Sequence, residues 1–375
     1  MIKVLHSVSN MDRAGIETML MNYYRHIDKN KVQFVFLCNK SKIGAYNDEI
    51  IKMGGKIYVS PGYNPLKIFQ YGKLVKRILL ENPEIKIVHA HNGPLQFFAL
   101  YFAKKYGIKI RISHAHSTKV PYSNKYFDLG NLYKRFLKSK LKRVANYYWG
   151  CGLEAVRFYY GKKVVKNKNY EIIRNAVDTS LFSFKSDVRI EERKKLNISE
   201  DCFVIGHIGR FNIVKNQSFL LKVFKEVLNI EKNSKLLFIG DGELEDKVKN
   251  EAKKLGIDNS VIFAGNVKDA YNKYQIMDVF VLPSIFEGLP VVGVEAQANG
   301  LYCVFSDSVS HEVDITGNTT FLSLNEDYKT WAKALLNKKE RDKDAIKKIE
   351  INGYSIAKES KKLEEKYLDL VKKID

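Results

Sequence analysis

Short, continuous apolar runs alternate along this chain with longer stretches in which apolar residues recur every three or four positions. In the first half the runs fall at 2–8, 32–39, 56–60, 85–91, 108–114 and 147–152. Between the first two, Ile16, Met19, Leu20, Tyr23, Tyr24 and Ile27 line one face of a helix of 3.6 residues per turn. Stretches 65–80 and 94–106 repeat that plan. The second half restarts it, with strands predicted at 203–209, 235–240, 261–265, 278–283, 302–306 and 320–323 and helices at 216–229, 244–255, 269–275 and 290–299. Apolar strands alternating with helices predict parallel sheets covered on both faces, an α/β fold. A length of 375 residues exceeds one ordinary core. Two doubly wound domains are therefore expected, at 1–183 and 184–353, with a last helix in 354–375 crossing back to the first. In such sheets ligands bind beyond the carboxyl ends of the strands, where the winding reverses. Residues at strand carboxyl ends are thus the ones to inspect.

Charge adds an asymmetry. The formal net charge is +21, and residues 1–185 hold 33 Lys+Arg against 11 Asp+Glu, whereas 186–375 hold 30 against 31. An excess confined to one half points to an anionic partner, such as a membrane surface, a phosphorylated lipid or a nucleic acid. The segment 132–144 sharpens this, because Leu132, Tyr133, Phe136, Leu137, Leu141 and Val144 form one stripe amid six Lys and Arg residues. Such a helix can lie in the headgroup plane. No apolar run is long enough to cross a membrane. The start of the chain reads as a strand rather than a leader peptide. Four scattered cysteines without metal spacing read as reduced thiols of a cytoplasmic protein.

Chemistry concentrates in 283–296, Pro-Ser-Ile-Phe-Glu-Gly-Leu-Pro-Val-Val-Gly-Val-Glu-Ala. A strand ends at Pro283, a loop follows through Gly288 and Leu289, and a helix opens at Pro290, where proline is favoured. Helix amino ends bind phosphate, and Gly288 lets backbone approach an anion closely. Glu287 and Glu295 bracket this turn, and each carboxylate suits the hydroxyl edge of a ribose or hexose. At the end of an earlier strand stands Gly209-Arg210, with Lys215 five residues on. Arg210 and Lys215 are the residue types that stabilise charge developing on a diphosphate. Gly240-Asp241-Gly242 follows another strand as a weaker phosphate-loop signal. Two histidine pairs, His89/His91 and His114/His116, end strands in the first half without further ligands nearby in sequence, so no metal site is expected.

The string Ser-x-x-Glu-Gly-Leu-Pro-Val-Val-x-x-Glu-Ala resembles the donor-site motif of the retaining glycosyltransferases of family four, and the resemblance extends over nearly the whole chain. It implies the GT-B fold, two Rossmann-like domains facing a central cleft, with the donor held mainly by the second. By resemblance Glu295 holds the ribose and Glu287 the transferred hexose. Arg210 and Lys215 hold the diphosphate, and His116 faces the donor sugar. The backbone near Gly240, Asp241 and Val267 flanks the base. The loop that shows Gly-Gly in relatives retains only Gly15, after Ala14. Arg174-Asn175-Ala176-Val177-Asp178 replaces the usual Pro-Asn-Gly-Val-Asp of the interdomain turn.

The implied activity is transfer of a hexosyl group from a nucleotide sugar, UDP-linked by preference. The implied acceptor is a saccharide or lipid-linked species in the assembly of a bacterial capsule or exopolysaccharide. No cofactor or metal is implied. The expected setting is the cytoplasm, peripheral at the inner face of the membrane. Two other readings stay open: a nucleotide-sugar epimerase of the same fold, and a basic nucleic-acid-binding protein. The latter lacks a groove-reading motif, so no nucleic-acid partner is expected.

Overall fold

The computed structural model describes residues 1–39, 44–60, 62, 67–117, 129–267, 269–337 and 340–374. The chain divides into two compact units, Met1–Ala176 with Ile356–Asp375, and Val177–Ser355. The sequence draws these lines at 183/184 and 353/354. The division falls where Val177 bridges Ser355, and the Val177 N–H donates to the Tyr354 carbonyl.

The first unit is built on seven strands, β1 (Ile2–Val8), β2 (Val32–Cys38), β3 (Lys56–Val59), β4 (Ile85–Ala90), β5 (Ile110–Ala115), β6 (Tyr147–Gly150) and β7 (Glu171–Ile172). They lie in the order β3-β2-β1-β4-β5-β6-β7, with every pairing parallel. All seven residues of β2 are buried, as a strand covered on both faces requires. The helix Gly15–His26 buries Met19, Leu20, Tyr23 and Tyr24 of its predicted stripe. The closing helix Ile356–Lys372 buries Leu363, Tyr367, Leu370 and Val371 in the same core.

The second unit carries β8 (Phe203–Ile208), β9 (Ser234–Ile239), β10 (Val261–Phe263), β11 (Val279–Leu282), β12 (Tyr302–Ser306) and β13 (Thr319–Leu322). Their order is β10-β9-β8-β11-β12-β13, again all parallel. Its separate core includes Leu220, Phe224, Phe238, Val281 and Trp331. In each sheet the winding reverses once, between β1 and β4 and between β8 and β11, and these are the binding edges of doubly wound sheets. All four cysteines are buried. No described helix is long and apolar enough to cross a membrane.

Candidate functional site

In the second unit the reversal between β8 and β11 brings the motif residues together. Gly209 and Arg210 directly follow β8. A Cβ on Gly209 would stand 3.0 Å from Cε of Lys215, so the glycine makes room for the lysine side chain to lie across it. The Lys215 N–H donates to Asn212 Oδ1 at 3.0 Å, closing the turn that aims the side chain. Asn216 then takes a left-handed conformation, φ 58°, ahead of the helix Gln217–Ile230. Asparagine is among the few non-glycine residues that visit that region. Its side-chain amide donates to the Pro283 carbonyl at 3.2 Å, tying this turn to the loop after β11.

That loop supplies the partner. Lys215 Nζ lies 2.6 Å from Glu287 Oε1, both side chains being mostly buried. Glu287 is held by a parallel bridge to Val309, and the Ser310 N–H donates to the carbonyls of Glu287 and Gly288. Gly288 and Leu289 are buried at the entry to the helix Val291–Ala298. Arg210 is exposed and forms no ion pair among the described residues. An exposed guanidinium five residues before an anchored ammonium is a pairing suited to a charged, exchangeable ligand.

Glu295 sits within the helix Val291–Ala298 and is 7% exposed, so it is no surface residue. The Tyr274 hydroxyl donates to its Oε2 at 2.7 Å. Burial raises its carboxyl to about 7, against a smaller lowering by the Tyr274 bond. Tyr274 carries no signal in the sequence, because its partner is 21 residues away on another helix.

The loops after β9 and β10 complete this edge. Gly240 and Gly242 have φ of +134° and +153°. A Cβ on Gly240 would meet the Gly209 carbonyl at 2.3 Å, and one on Gly242 the Phe211 carbonyl at 2.4 Å. Both glycines are therefore demanded by close backbone approach. The Phe211 N–H donates to the Asp241 carbonyl at 2.8 Å. Asn266, next to Val267, donates to Asp241 Oδ2 at 3.1 Å.

In the first unit Gly15 opens the helix Gly15–His26, and a Cβ there would meet nothing within 4 Å. Among the described residues no steric demand fixes this glycine. His116 follows β5 and belongs to a cluster that the sequence did not reveal. The parallel register sets His6 opposite His89, and His89 opposite Ile112. Continued two residues, it sets His91 opposite His114. His6 Nδ1 is 3.1 Å from His91 Nε2, and His91 Nδ1 is 2.8 Å from His116 Nε2. His89 Nε2 is 3.0 Å from His114 Nδ1, and His89 Nδ1 is 2.7 Å from the Tyr367 hydroxyl. Burial pushes all five imidazoles below their usual range, His6 and His116 to about 3. Histidines that lie far apart in the sequence are thus brought together by the fold. His6, His89 and His91, and likewise His91, His114 and His116, offer ring nitrogens within 4.8 Å of one another.

The helix Leu129–Val144 also differs from its sequence reading. Leu137, Leu141 and Val144 are buried, whereas Leu129, Leu132 and Phe136 are 85%, 68% and 54% exposed. The stripe therefore splits, its later half packing on the domain. Lys138 turns inward, its ammonium 3.5 Å from the centroid of the Phe158 ring.

Comparison with known proteins agrees with this architecture. The family described as Glycosyltransferase Family 4 matches residues 13–181, and that described as Glycosyl transferases group 1 matches 188–355. EpsF of Bacillus subtilis (strain 168), which carries a glycosyltransferase name, is 34% identical over 336 residues, 89% of this chain and 86% of EpsF. The capsular polysaccharide biosynthesis glycosyltransferase CapH of Staphylococcus aureus is 26% identical, over 98% of this chain and 99% of CapH. An Escherichia coli UDP-Gal:alpha-D-GlcNAc-diphosphoundecaprenol alpha-1,3-galactosyltransferase is 24% identical over 78% of each chain. Among solved structures, Anabaena HepE in complex with UDP-glucose superposes with a TM-score of 0.79 at 17% identity, over 98% of this chain and 100% of that one. These findings favour transfer over the epimerase and nucleic-acid readings. The two matched domains, the two doubly wound sheets and the similarity to EpsF along most of both chains make this protein a GT-B glycosyltransferase of family four.

Proposed function

We propose that this enzyme transfers a hexosyl group, with retention, from a UDP-sugar to a saccharide or lipid-linked acceptor of a bacterial surface polysaccharide. The observation that carries the reading is the Lys215–Glu287 contact of 2.6 Å at the reversal between β8 and β11. It sets a fixed cation beside a carboxylate, as adjoining diphosphate and hexose groups need. Lys215 and Arg210 take the charge that accumulates on the diphosphate as the bond from sugar C1 to phosphate oxygen breaks. Glu287 and His116 orient the sugar hydroxyls. Glu295, braced by Tyr274, accepts hydrogen bonds from the ribose. The acceptor oxygen bonds to C1 on the face the phosphate leaves, and its proton passes to a donor phosphate oxygen. Gly209, Gly240, Asp241 and Val267 line the nucleotide, while Gly288 and Leu289 bring backbone to the phosphates, with Gly15 on the first unit's side. Arg210 and Lys215 supply the counter-charge in this proposal, which therefore asks for no metal. The donor and acceptor classes rest on the relatives named above.

The charged first half supports a second element of the proposal, peripheral attachment to an anionic leaflet at the cytoplasmic face. The helix Leu129–Val144 exposes Leu129, Leu132 and Phe136 and carries Lys140, Lys142 and Arg143 in the turns that follow, the Lys140 ammonium 5.1 Å from the Phe136 ring, a combination suited to anionic headgroups.

The deciding experiment is nucleotide release across a panel of UDP- and GDP-sugars, with and without lipid-linked saccharide acceptors, in the presence of a chelator. UDP release that requires an acceptor and survives chelation is expected. Release without acceptor, or loss on chelation restored by a divalent ion, would overturn the corresponding part.

A further inference from the structure

We propose that His91, His114 and His116 form a three-histidine site for a transition-metal ion of the Zn²⁺ type at the carboxyl edge of the first sheet. The ligand set is a His-x-His pair at the end of β5 and one histidine from the adjoining end of β4. Period-two alternation puts His114 and His116 on one face, and their rings stack 4.0 Å apart. The His91 ring lies 5.2 Å from that of His114 and 5.1 Å from that of His116. All three offer ligand nitrogens within 4.8 Å of one another. Tetrahedral zinc with bonds of about 2.0–2.1 Å separates its nitrogens by about 3.3 Å. His91 Nδ1 and His116 Nε2, 2.8 Å apart, need only a small spreading to reach that edge.

The second nitrogens support the same assignment. Ligating imidazoles use their other ring nitrogen to bond an orienting partner. Here His91 Nε2 faces His6 Nδ1, and His114 Nδ1 faces His89 Nε2, which Tyr367 anchors in turn. His114 Nε2 is buried and has no hydrogen-bond partner among the described residues. His6 Nε2 is likewise buried without a partner among the described residues, so two ring nitrogens of the cluster are left over, and that of His114 belongs to this trio, where it calls for an occupant. His116 is the one member of the five that is partly exposed, which gives an ion its approach. The inner group of His6, His89 and His91 is fully buried. Three imidazoles leave a coordination position open for water or an anion. Borderline ions such as Zn²⁺, Ni²⁺ and Co²⁺ are the ones imidazole favours.

The test is titration of tag-free, chelator-stripped protein with Co²⁺, read as visible absorption of the four-coordinate ion, followed by displacement with Zn²⁺. Wild type should develop the band to one equivalent and lose it to Zn²⁺. His26→Ala, on an exposed histidine outside the cluster, should match it. His116→Ala should lose the band while keeping its far-ultraviolet circular dichroism. No band in wild type, or an unchanged band in His116→Ala, would overturn the site. His116 is also the side chain assigned above to the sugar, so ion and donor draw on one imidazole. Because metal binding is read without substrate, its failure would leave the transferase reading standing.

Discussion

At the scale of single residues, Lys215 and Glu287 form one unit whose parts should separate kinetically. Lys215→Ala removes the cation next to the leaving diphosphate and should lower turnover by about 10²-fold, as should Arg210→Ala. Near-wild-type turnover in both variants would refute the leaving-group assignment. Glu287→Gln should leave UDP affinity nearly intact and act on the sugar-dependent step, which calorimetry with UDP beside steady-state kinetics resolves. Glu295 adds a pH dependence. Burial raises its carboxyl from 4.5 to about 7. Between those values the unfolded chain has lost the proton and the folded state keeps it, so this group's stabilising contribution is whole below about 4.5 and is lost as pH rises to about 7. The slope is up to about 1.4 kcal/mol per pH unit. The carboxylate is the better acceptor for ribose hydroxyls, so affinity for a UDP-sugar, whose own charge is constant here, should rise as pH passes upward through about 7. Tyr274→Phe removes the donor to Glu295 and should move that midpoint higher. Affinity independent of pH from about 6 to about 8 would contradict the ribose role. Glu287, Glu295, Arg210 and Lys215 were legible because a local string announces them. Tyr274 was not, nor was the company of His6 and Tyr367 around the histidine pairs, because those contacts are made by packing between distant segments.

Elements with an apolar stripe or run were readable to within a residue or two, as Gly15–His26 and Gln217–Ile230 illustrate. The helix Ser186–Lys195 was not, because its anchor is ionic. Arg193 donates to the Ile276 carbonyl at 2.9 Å and to Asp278 Oδ2 at 2.8 Å, and Arg189 reaches Asp278 Oδ1 at 2.6 Å. No periodicity records such an attachment. β7, at two residues, is too short to carry a pattern at all. The helix Leu129–Val144 shows the opposite limit: its stripe was visible, but only packing decides which half faces outward. Its exposed first half defines the docking test. Leu132→Ser/Phe136→Ser should weaken co-sedimentation with anionic liposomes without altering the fold, since neither side chain is buried. Lys140→Glu/Lys142→Glu/Arg143→Glu should weaken it further and remove its salt dependence, each cation contributing about 1 kcal/mol near anionic lipid. Sedimentation of both variants equal to wild type at low salt would exclude this helix as the docking surface.

At the scale of the whole molecule, two units with separate cores carry one buried tryptophan each, Trp149 in the first and Trp331 in the second. Trp149 stacks on Tyr367 at 5.6 Å, so it reports on the first sheet and on the returning helix together. Trp331 lies in the core against the helix Gln217–Ile230, its ring 5.3 Å from that of Phe219 in the helix's first turn. Trp331→Phe and Trp149→Phe therefore give single-reporter proteins, each compared with itself with and without ligand. The nucleotide-binding residues assigned here, apart from Gly15, belong to the second unit. A ligand that binds only folded protein stabilises what it binds by about 2.7 kcal/mol at 100 times its Kd. UDP at that level should raise the urea midpoint seen by Trp331 and leave the Trp149 midpoint in place. A UDP-sugar should repeat the Trp331 shift. Equal shifts of both reporters with UDP alone would overturn the assignment of the nucleotide to the second unit. A shift confined to Trp149 would move the donor site to the first.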